Sequence, residues 1–423
     1  MPVKLRLAWL TLVVIFTLAF NSCGTSTRTG SQSATNPLWI TTGNDQKVRA
    51  YAIDEANGSV SQIGSGASGT GLQSVAIALS PDRLTLFVAN SGDNSISIYS
   101  INPDGSLTSA GVSTAAGNTP TALAVDPAYT LLFVANKGSD SIMVFSITPG
   151  VLTLKTSFPI QLPAAPGGSA PVALVVSPAG FSCTDNRAPT PVTQKCFALY
   201  AANQTSSTVT AYDYFVDSGG NFVRGSIDLN GNFIVGGTVT GSPYAVGKNP
   251  SALAFSRCAG AGSVASTCQA AGSNGLFVAN SGADEITVLS ACIQLPTCQM
   301  GESTPDGTLT QLGSPVQTGT GPSTVLVDPV ADFVYTVDVG SNQVSEYHYQ
   351  SATGVLTAIG AVNAGNSALS AAITNNLGSG ANNWVVLTSS GALSPFSIGS
   401  DGTLTAGSGQ TSLPGQPTAI FIQ

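Results

Sequence analysis

Short apolar runs that end at a polar residue recur along the whole chain. Residues 86–90, 132–136 and 276–280 all read Leu-Phe-Val-Ala-Asn. Looser copies of the same run occupy residues 39–42, 200–203, 334–338 and 385–388. A run of β-branched and aromatic residues that stops at Asn, Asp or Thr before a Gly-rich turn is typical of a buried strand with a tight exit. The pattern therefore predicts seven buried strands.

Three further strands are predicted around each copy. Upstream lies a second apolar strand, often opened or closed by Pro, at residues 75–81, 120–127, 171–178, 250–256, 322–329, 368–373 and 417–423. Downstream lies a strand of alternating polarity, such as residues 95–101 and 141–147. Alternation indicates one wetter face, and thus a position farther from the centre. A weak fourth strand follows a hairpin turn, clearest at the Asp-Gly pairs 104–105, 306–307 and 401–402, where Gly accepts a positive φ.

Four strands repeated seven times predict an all-β fold, a seven-bladed β-propeller of four-stranded antiparallel blades. The N-terminal unit begins at Leu38 and lacks its innermost strand, whereas the chain ends on an innermost strand at residues 417–423. We therefore predict that the ring is closed by pairing of the C-terminal strand with the N-terminal blade, which removes an open sheet edge. In this topology the turns after the second strands and the connections into the innermost strands share one face, named here the first face. The remaining loops lie on the second face.

Charge and composition exclude one class of function. Only 8% of the residues are charged, the net charge is −8, and the 13 Lys and Arg residues are scattered singly. Because a protein that binds nucleic acid needs a basic face to displace counterions from phosphates, we expect no nucleic-acid partner. A chain rich in Ser, Thr, Asn and Gly instead favours an exported protein.

The N-terminus resembles the signal of a bacterial lipoprotein. Lys4 and Arg6 flank the start of an apolar run at residues 7–20, which is short for a membrane span but typical of a signal peptide. In such a signal Cys23 becomes the lipidated first residue after cleavage. This divides the chain into a signal peptide (1–22), a flexible tether (23–36) and the propeller (37–423). We expect a protein of the bacterial envelope that is held to the membrane through the lipid anchor only; conventional secretion and a retained anchor are the alternatives.

Six cysteines remain if Cys23 carries lipid, and they fall into three close pairs, each within a polar insertion. We expect three local disulfides that pin these insertions: Cys183–Cys196, Cys258–Cys268 and Cys292–Cys298. Zinc is the alternative, but no pair has the two-residue spacing of zinc ligands. Disulfides need an oxidising compartment, which agrees with export.

Polar residues recur on the first face and form the candidate binding loops. They lie at the ends of the second strands and in the turns that follow: Asp45, Asn90, Asp93, Asn136, Asp140, Asn203, Asn280, Asp284 and Asp338. Calcium is one interpretation of these carboxylates, but hard cations need six or more converging oxygens and these residues lie about one per blade. Asn and Asp also cap backbone amides in such turns, so we expect turn stabilisation, no metal and no cofactor.

Other candidate catalytic residues also have structural explanations. Asp126, Asp328, Ser80 and Ser177 follow innermost strands, and their recurrence favours a role in satisfying turn amides. His348 is the only histidine and lies on an outer-type strand, whereas a general base must line a pocket. The sequence contains no nucleophile elbow, phosphate loop or metal-type His pair, so we assign no catalytic residue.

The Leu-Phe-Val-Ala-Asn repeats, the Pro-bounded strands and the Asp-Gly-x-Leu-Thr hairpins together resemble the lactonase-type seven-bladed propellers. That group includes 6-phosphogluconolactonase-like proteins and muconate cycloisomerases. The resemblance covers residues 38–423 and implies the fold more specifically than an activity, because propellers host unrelated functions. It also implies His, Arg and carboxylates around one channel mouth, and none of these residues here falls in a matching motif.

Two functions are predicted from these observations. The first is a non-catalytic envelope lipoprotein, expected to be monomeric, that binds an unknown protein or glycan partner across the first face. The second is a lactonase that hydrolyses a carbohydrate-type lactone with channel-mouth carboxylates. The lining of the channel distinguishes them, because a lining without ionisable groups would leave hydrolysis without a mechanism.

Overall fold

The computed structural model describes residues 35–422 except 65–67, 81, 112, 129, 149–150, 156–158, 164–168, 188, 228–232, 257–273, 294–304, 330–331, 366–367, 375–383 and 408. These residues form β-strands and one short 3₁₀ helix at Lys137–Ser139. The strands pair antiparallel and form seven sheets. Among the described residues, no helix has the length and apolar character to cross a membrane.

The first four sheets follow one another along the chain. Sheet 1 contains β1 (Thr35–Thr42), β2 (Lys47–Asp54), β3 (Val60–Gln62) and β4 (Ser68–Gly69). Sheet 2 contains β5 (Ser74–Leu79), β6 (Thr85–Asn90), β7 (Ser95–Ile101), β8 (Leu107–Ser109) and β9 (Thr114–Ala115). Sheet 3 contains β10 (Pro120–Val125), β11 (Leu131–Asn136), β12 (Ser141–Thr148), β13 (Val151–Leu154) and β14 (Ile160–Gln161). Sheet 4 contains β15 (Pro171–Val176), β16 (Phe181–Asp185), β17 (Val192–Asn203), β18 (Thr208–Val216), β19 (Phe222–Ile227), β20 (Phe233–Val235) and β21 (Tyr244–Ala245).

The last three sheets repeat the same plan. Sheet 5 contains β22 (Pro250–Phe255), β23 (Gly275–Asn280), β24 (Glu285–Ala291), β25 (Leu309–Gln311) and β26 (Val316–Gln317). Sheet 6 contains β27 (Pro322–Val327), β28 (Phe333–Asp338), β29 (Gln343–Gln350) and β30 (Val355–Asn363). Sheet 7 contains β31 (Ala368–Ile373), β32 (Trp384–Ser389), β33 (Ala392–Ile398), β34 (Leu404–Ala406) and β35 (Thr411–Ser412), while the last strand, β36 (Pro417–Ile422), joins sheet 1.

Each sheet runs outward from an innermost strand. In sheet 2 the order is β5-β6-β7-β8, and the innermost strands of the other sheets are β36, β10, β15, β22, β27 and β31. These strands contact one another in the cyclic order β5, β10, β15, β22, β27, β31, β36 and back to β5. The prediction of an all-β propeller with antiparallel blades is therefore confirmed.

The last strand of the chain pairs with the first. β36 lies antiparallel to β1, with Trp39 opposite Phe421 and Thr41 opposite Ala419. β1 begins at Thr35, earlier than the predicted start at Leu38, because the residues before Leu38 already pair with β2.

The core lies between neighbouring sheets. All residues of β6, β11, β23, β28 and β32 are buried, as their continuous apolar runs predict for strands covered on both faces. Phe87 of sheet 2, for example, shares a cluster with Leu132 and Val134 of sheet 3. Each of the seven apolar clusters joins two adjacent sheets in this way.

Polar contacts tie the hairpin turn of one sheet to the second strand of the sheet before it. Tyr200 of β17 donates its hydroxyl to the carbonyl oxygen of Gly307 at 2.9 Å, and Tyr335 of β28 does the same with Gly402 at 2.9 Å. Trp39 donates its indole N–H to the equivalent carbonyl, that of Gly105, at 3.0 Å. The predicted Asp-Gly turns thus also connect adjacent sheets.

The cysteine region of sheet 4 differs from the expectation of a loose insertion. β16 pairs with the first half of β17, and Cys183 and Cys196 form a disulfide across this hairpin with 5.9 Å between their Cα atoms. The insertion is ordered because its own alternating residues continue the ladder. Cys292 is also disulfide-bonded. The remaining expected partners, Cys258, Cys268 and Cys298, and the expected lipidation site, Cys23, lie outside the described residues.

Candidate functional site

The nine candidate residues of the first face fall into two groups. Five end a second strand and are fully or almost fully buried: Asn90, Asn136, Asn203, Asn280 and Asp338. Four lie in the following turns and reach the surface or its margin: Asp45, Asp93, Asp140 and Asp284. The strand ends are buried because the connection into the innermost strand packs over them, as Gly71 does over Asn90.

The buried Asn side chains bond to the third strand of their own sheet. Asn90 donates its amide to Ser95 Oγ and Ser97 Oγ, each at 3.0 Å. The same contact joins Asn280 to Thr287 at 2.8 Å. These amides stabilise the turn and are not available to a partner at the surface.

Asn136 departs from this arrangement for a reason visible in the sequence. Met143 faces Val134 in β12, where the neighbouring sheet has Ser97 opposite Val88. With Met143 at the position where β7 has the hydroxyl of Ser97, and with Ser141 Oγ bonded to Ser139, Asn136 donates its amide to the carbonyl oxygen of Val134 at 3.2 Å.

Asp338 replaces the buried Asn in sheet 6. Its Oδ2 accepts hydrogen bonds from Ser345 Oγ at 2.5 Å and from the backbone amide of Gly319 at 3.0 Å. Burial raises the pKa of this carboxyl, although these donors oppose the shift. The hydrogen bonds indicate a structural carboxyl rather than a catalytic one.

The turn residues connect each sheet to the next. Asp140 Oδ1 accepts the backbone amides of Ser169 at 3.0 Å and Ala170 at 2.6 Å. Asp284 Oδ1 accepts the amide of Gly321 at 2.7 Å. Asp140 and Asp284 both have positive φ, 47° and 55°, a conformation that Asp tolerates better than most residues. These contacts stabilise the turns, which is the structural role expected of Asp140 and Asp284.

Asp45 and Asp93 also have partners within the protein. Asp93 accepts the amide of Leu72 at 3.1 Å and the hydroxyl of Ser95 at 2.8 Å. Asp45 forms an ion pair with the buried Arg49. Burial alone would raise the pKa of Asp45, but hydrogen bonds from Arg49 and Thr42 hold it below its usual value. Among the described residues, no three His, Cys, Asp or Glu side chains are close enough to hold a metal ion.

The innermost strands are free of ionisable side chains. Their sequences are SVAIAL, PTALAV, PVALVV, PSALAF, PSTVLV, ALSAAI and PTAIFI. General acid–base catalysis needs a titratable group within hydrogen-bond reach of the substrate. These seven strands offer no such group.

The polar residues that follow the innermost strands serve the second strands. Ser80 Oγ accepts the amide of Thr85 at 2.9 Å, and Ser177 Oγ accepts that of Ala198 at 3.0 Å. Asp126 is 1% exposed and accepts the amide of Thr130 at 3.0 Å. Asp328 is buried at the matching position of sheet 6. Ser80, Ser177 and Asp126 therefore accept hydrogen bonds from backbone amides, as expected.

His348 lies far out along sheet 6. It is exposed on the third strand β29, and its ring meets Phe333 edge to face with 5.7 Å between centroids. The second strand β28 separates β29 from the innermost strand β27. His348 therefore lies two strands away from the innermost strand of its own sheet.

Four buried acids were not among the candidate residues: Asp185, Asp213, Asp306 and Glu346. Glu346 of β29 is 4% exposed and accepts the amide of Leu404 in sheet 7 at 2.8 Å. Asp213 of β18 is fully buried, and its carboxyl oxygens make no hydrogen bond of good geometry, although the backbone amide of Ile227 is near enough to oppose part of the rise in its pKa. Burial, followed by the nearby charge of Asp306, raises the pKa of Asp213 well above its usual value. The sequence signal for Asp213 and Glu346 is a lone acid in the third strand of a sheet.

Comparison with known proteins identifies the kind of propeller. The family model described as Lactonase, 7-bladed beta-propeller, matches residues 32–165, which is less than half of the chain. No curated protein matches.

Several solved structures share the fold. A protein from Bacteroides uniformis ATCC 8492, proposed to be a 6-phosphogluconolactonase, is 12% identical with a TM-score of 0.67; the alignment covers 92% of this chain and 100% of that one. The periplasmic gluconolactonase PpgL of Pseudomonas aeruginosa is 16% identical with a TM-score of 0.61, over 92% and 99% of the two chains. A protein from Lactobacillus plantarum is 17% identical with a TM-score of 0.61, over 92% and 99%. At these identities the likeness establishes the lactonase-like propeller fold alone.

Proposed function

We propose that this lactonase-like propeller is a non-catalytic binding module that engages a protein or glycan partner through its first face. The observation that carries the proposal is the absence of any ionisable side chain from the seven innermost strands. A lactonase needs a group that activates water and another that stabilises the developing charge. Asp126 and His348 are unsuited to these roles, because the first is buried in a turn and the second is exposed two strands away.

The surface of the first face supports binding. Three large apolar side chains are exposed there: Leu72 at 45%, Val339 at 37% and Leu369 at 38%. Around them lie polar loops that include the exposed Asp93 and Lys248. Apolar side chains surrounded by polar loops are common at protein-interaction surfaces.

A lactone panel tests the absence of catalysis. We expect hydrolysis of aldonolactones, with and without a phosphate group, to proceed at the rate of buffer alone. Turnover above that background, whether or not it is lost in Asp126→Asn or His348→Asn, would overturn the proposal.

Site-directed photo-crosslinking tests the binding face. A photoreactive residue at Asn44 or Lys248, both exposed on the first face, should give a discrete adduct in cells. The matched controls are Ser182 and Asp104, which are exposed on the second face. Adducts only from the controls would assign binding to the second face and contradict the proposal.

Lactone hydrolysis is the second candidate function. The family match to residues 32–165 favours it, and PpgL is itself described as a periplasmic gluconolactonase. Its catalytic groups would have to come from loops at a channel mouth, and the lactone panel distinguishes it from the first candidate.

We also infer that the seven sheets are the seven blades of one closed ring. The support is the count of sheets and the pairing of β36 with β1. A closed ring leaves no innermost strand with an unpaired neighbour.

We further infer that the protein is exported and anchored by lipid at Cys23. The apolar run at residues 7–20 and the Cys183–Cys196 disulfide both support an oxidising compartment outside the cytosol. Metabolic labelling with a fatty-acid probe should mark the protein but not Cys23→Ser. Equal labelling of the two would contradict the anchor.

A further inference from the structure

The outer edge of sheet 6 differs from the edges of the other six sheets. In five of those sheets the outer position is divided between short pieces, such as β8 and β9, which pair with separate ends of the third strand. In sheet 4, β19 pairs with one end of the third strand and is covered by β20. In sheet 6 the single strand β30 (Val355–Asn363) pairs with β29 along its full length. No described strand pairs with its other side. Short, interrupted edges protect a sheet from adding another strand, and β30 lacks this protection.

β30 also lies in a nearly charge-free part of the molecule. Between Asp338 and Asp401 the only charged residue is Glu346, which is buried, and the only other titratable side chains are Tyr347, His348 and Tyr349. Exposed edges of monomeric proteins commonly carry Lys or inward-pointing charges that discourage pairing. An uncharged edge can approach an identical edge without repulsion between like charges.

The position of the bulge in β30 makes the strand symmetric. Its register with β29 shifts once, so that Ile359 is the extra residue. Residues 355–358 and 360–363 form ladders of equal length on either side. A twofold axis through the bulge would place the first ladder of one copy against the second ladder of the other. Such an axis generates an antiparallel pair, the geometry of the strand pairs within the chain.

Side chains at the two ends of β30 are complementary under this symmetry. Val355, at one end, is 50% exposed. At the other end a crevice of about 190 Å³ is lined by residues that include Val362, Asn363 and Phe396. The twofold axis brings Val355 of one copy opposite Asn363 of the other, next to this crevice.

We propose that the protein forms a twofold dimer in which β30 pairs with β30 of a second copy. The eight residues of the two ladders would add main-chain hydrogen bonds, and each Val355 would bury its apolar side chain in the crevice of the other copy. This dimer replaces the expectation of a monomer, leaves the first face free and does not depend on the proposed binding function.

Sedimentation velocity of the protein purified from cells tests the dimer. Wild type should sediment as a dimer of a chain of up to 42.4 kDa. Thr357 and Ala361 are exposed and would lie opposite each other across the axis. The double substitution Thr357→Lys and Ala361→Lys should weaken dimerisation at least tenfold, because it places two pairs of Lys face to face. The control Thr108→Lys, on the interrupted edge strand β8, should leave the dimer intact.

Charge reversal completes the test. A second double variant, Thr357→Glu and Ala361→Glu, should also be monomeric, and mixing it with the Lys variant should restore a heterodimer. Restoration also demonstrates that both variants are folded. A wild-type monomer at every accessible concentration, a Lys variant that dimerises like wild type, or occupation of β30 by a different protein would each overturn the proposal.

Discussion

At the scale of single residues, the recurrent polar side chains of this chain mostly support its turns. The sequence predicts where Asn90 and its counterparts lie, because they end an apolar run. It does not predict that their amides are buried, since burial depends on the connection into the innermost strand of the same sheet. Asn136 illustrates how local this chemistry is: Met143 on the facing strand changes its hydrogen-bond partner.

The buried carboxyl of Asp213 gives a prediction about stability and pH. Its raised pKa means that the folded protein holds this proton more tightly than the unfolded chain, whose pKa is near 3.8. Burying this carboxyl therefore destabilises the folded protein by an amount that is absent below pH 3.8 and grows as the pH rises above that value. We expect Asp213→Asn to stabilise the protein by about 2 kcal/mol at pH 7 and by little at pH 3, measured by urea unfolding.

Asp217 provides the matched control. Backbone amides, foremost that of Asn221, lower the pKa of Asp217, so its charged form favours the folded state. Asp217→Asn should consequently give no stabilisation at pH 7. An Asp213→Asn variant that is less stable than wild type at pH 7 would mean that the carboxyl makes a favourable contact.

Gly307 gives a second prediction at this scale. Its φ is +71°, and a Cβ there would lie 2.3 Å from Asp213 Oδ1. Gly313 has a similar φ of +66° with no atom within 4 Å of the added Cβ. Gly313→Ala should cost about 1 kcal/mol for backbone strain alone, whereas Gly307→Ala should cost about 2 kcal/mol more because the carboxyl must move. Equal losses of stability in the two variants, measured by thermal unfolding, would show that the Asp213 side chain moves aside at no cost.

At the scale of elements, the predictability of a strand follows its burial. The innermost and second strands are buried among neighbouring sheets, so their apolar runs leave a clear pattern, and residues such as Leu86 and Leu132 were placed correctly. The outer pieces are two or three residues long in most sheets, too short for a period to emerge. The hairpin of β16 and β17 was missed because its residues are polar and its order depends on the ladder and the disulfide.

The disulfide in this hairpin gives an element-scale prediction. Cys183 and Cys196 are separated by 13 residues in sequence, a loop whose closure lowers the entropy of the unfolded chain by an amount worth about 2–3 kcal/mol. Replacing both by Ala should lower the free energy of unfolding by that amount without changing the partner of the first face. Urea unfolding of the variant, compared with wild type under non-reducing conditions, measures it. A loss of photo-crosslinking from Asn44 in this variant would contradict a purely local role.

At the scale of the whole molecule, the ionisable side chains lie away from the innermost strands. Those strands carry apolar and small polar residues, whereas ionisable groups such as Asp140 and Glu346 stabilise turns and contacts between sheets. The sequence could exclude catalytic motifs, but it could not reveal this distribution, because contacts between sheets join residues that are far apart in the chain.

Ring closure is the prediction that tests the ring as a unit. β36 supplies the innermost strand of sheet 1 and contacts both β5 and β31, and its Ile422 lies in the cluster that joins sheets 7 and 1. Deleting residues 417–423 should therefore expose the inner edge of β1 and apolar surface of two sheets, so we expect a lower melting temperature and aggregation. A synthetic peptide of residues 416–423 added during refolding should restore the melting temperature in part, because the missing strand can pair in trans. The control is the same peptide with Ile420 and Ile422 replaced by Asp, which cannot enter the apolar cluster. A truncated chain that melts like the intact one would mean that the ring holds together without its last strand.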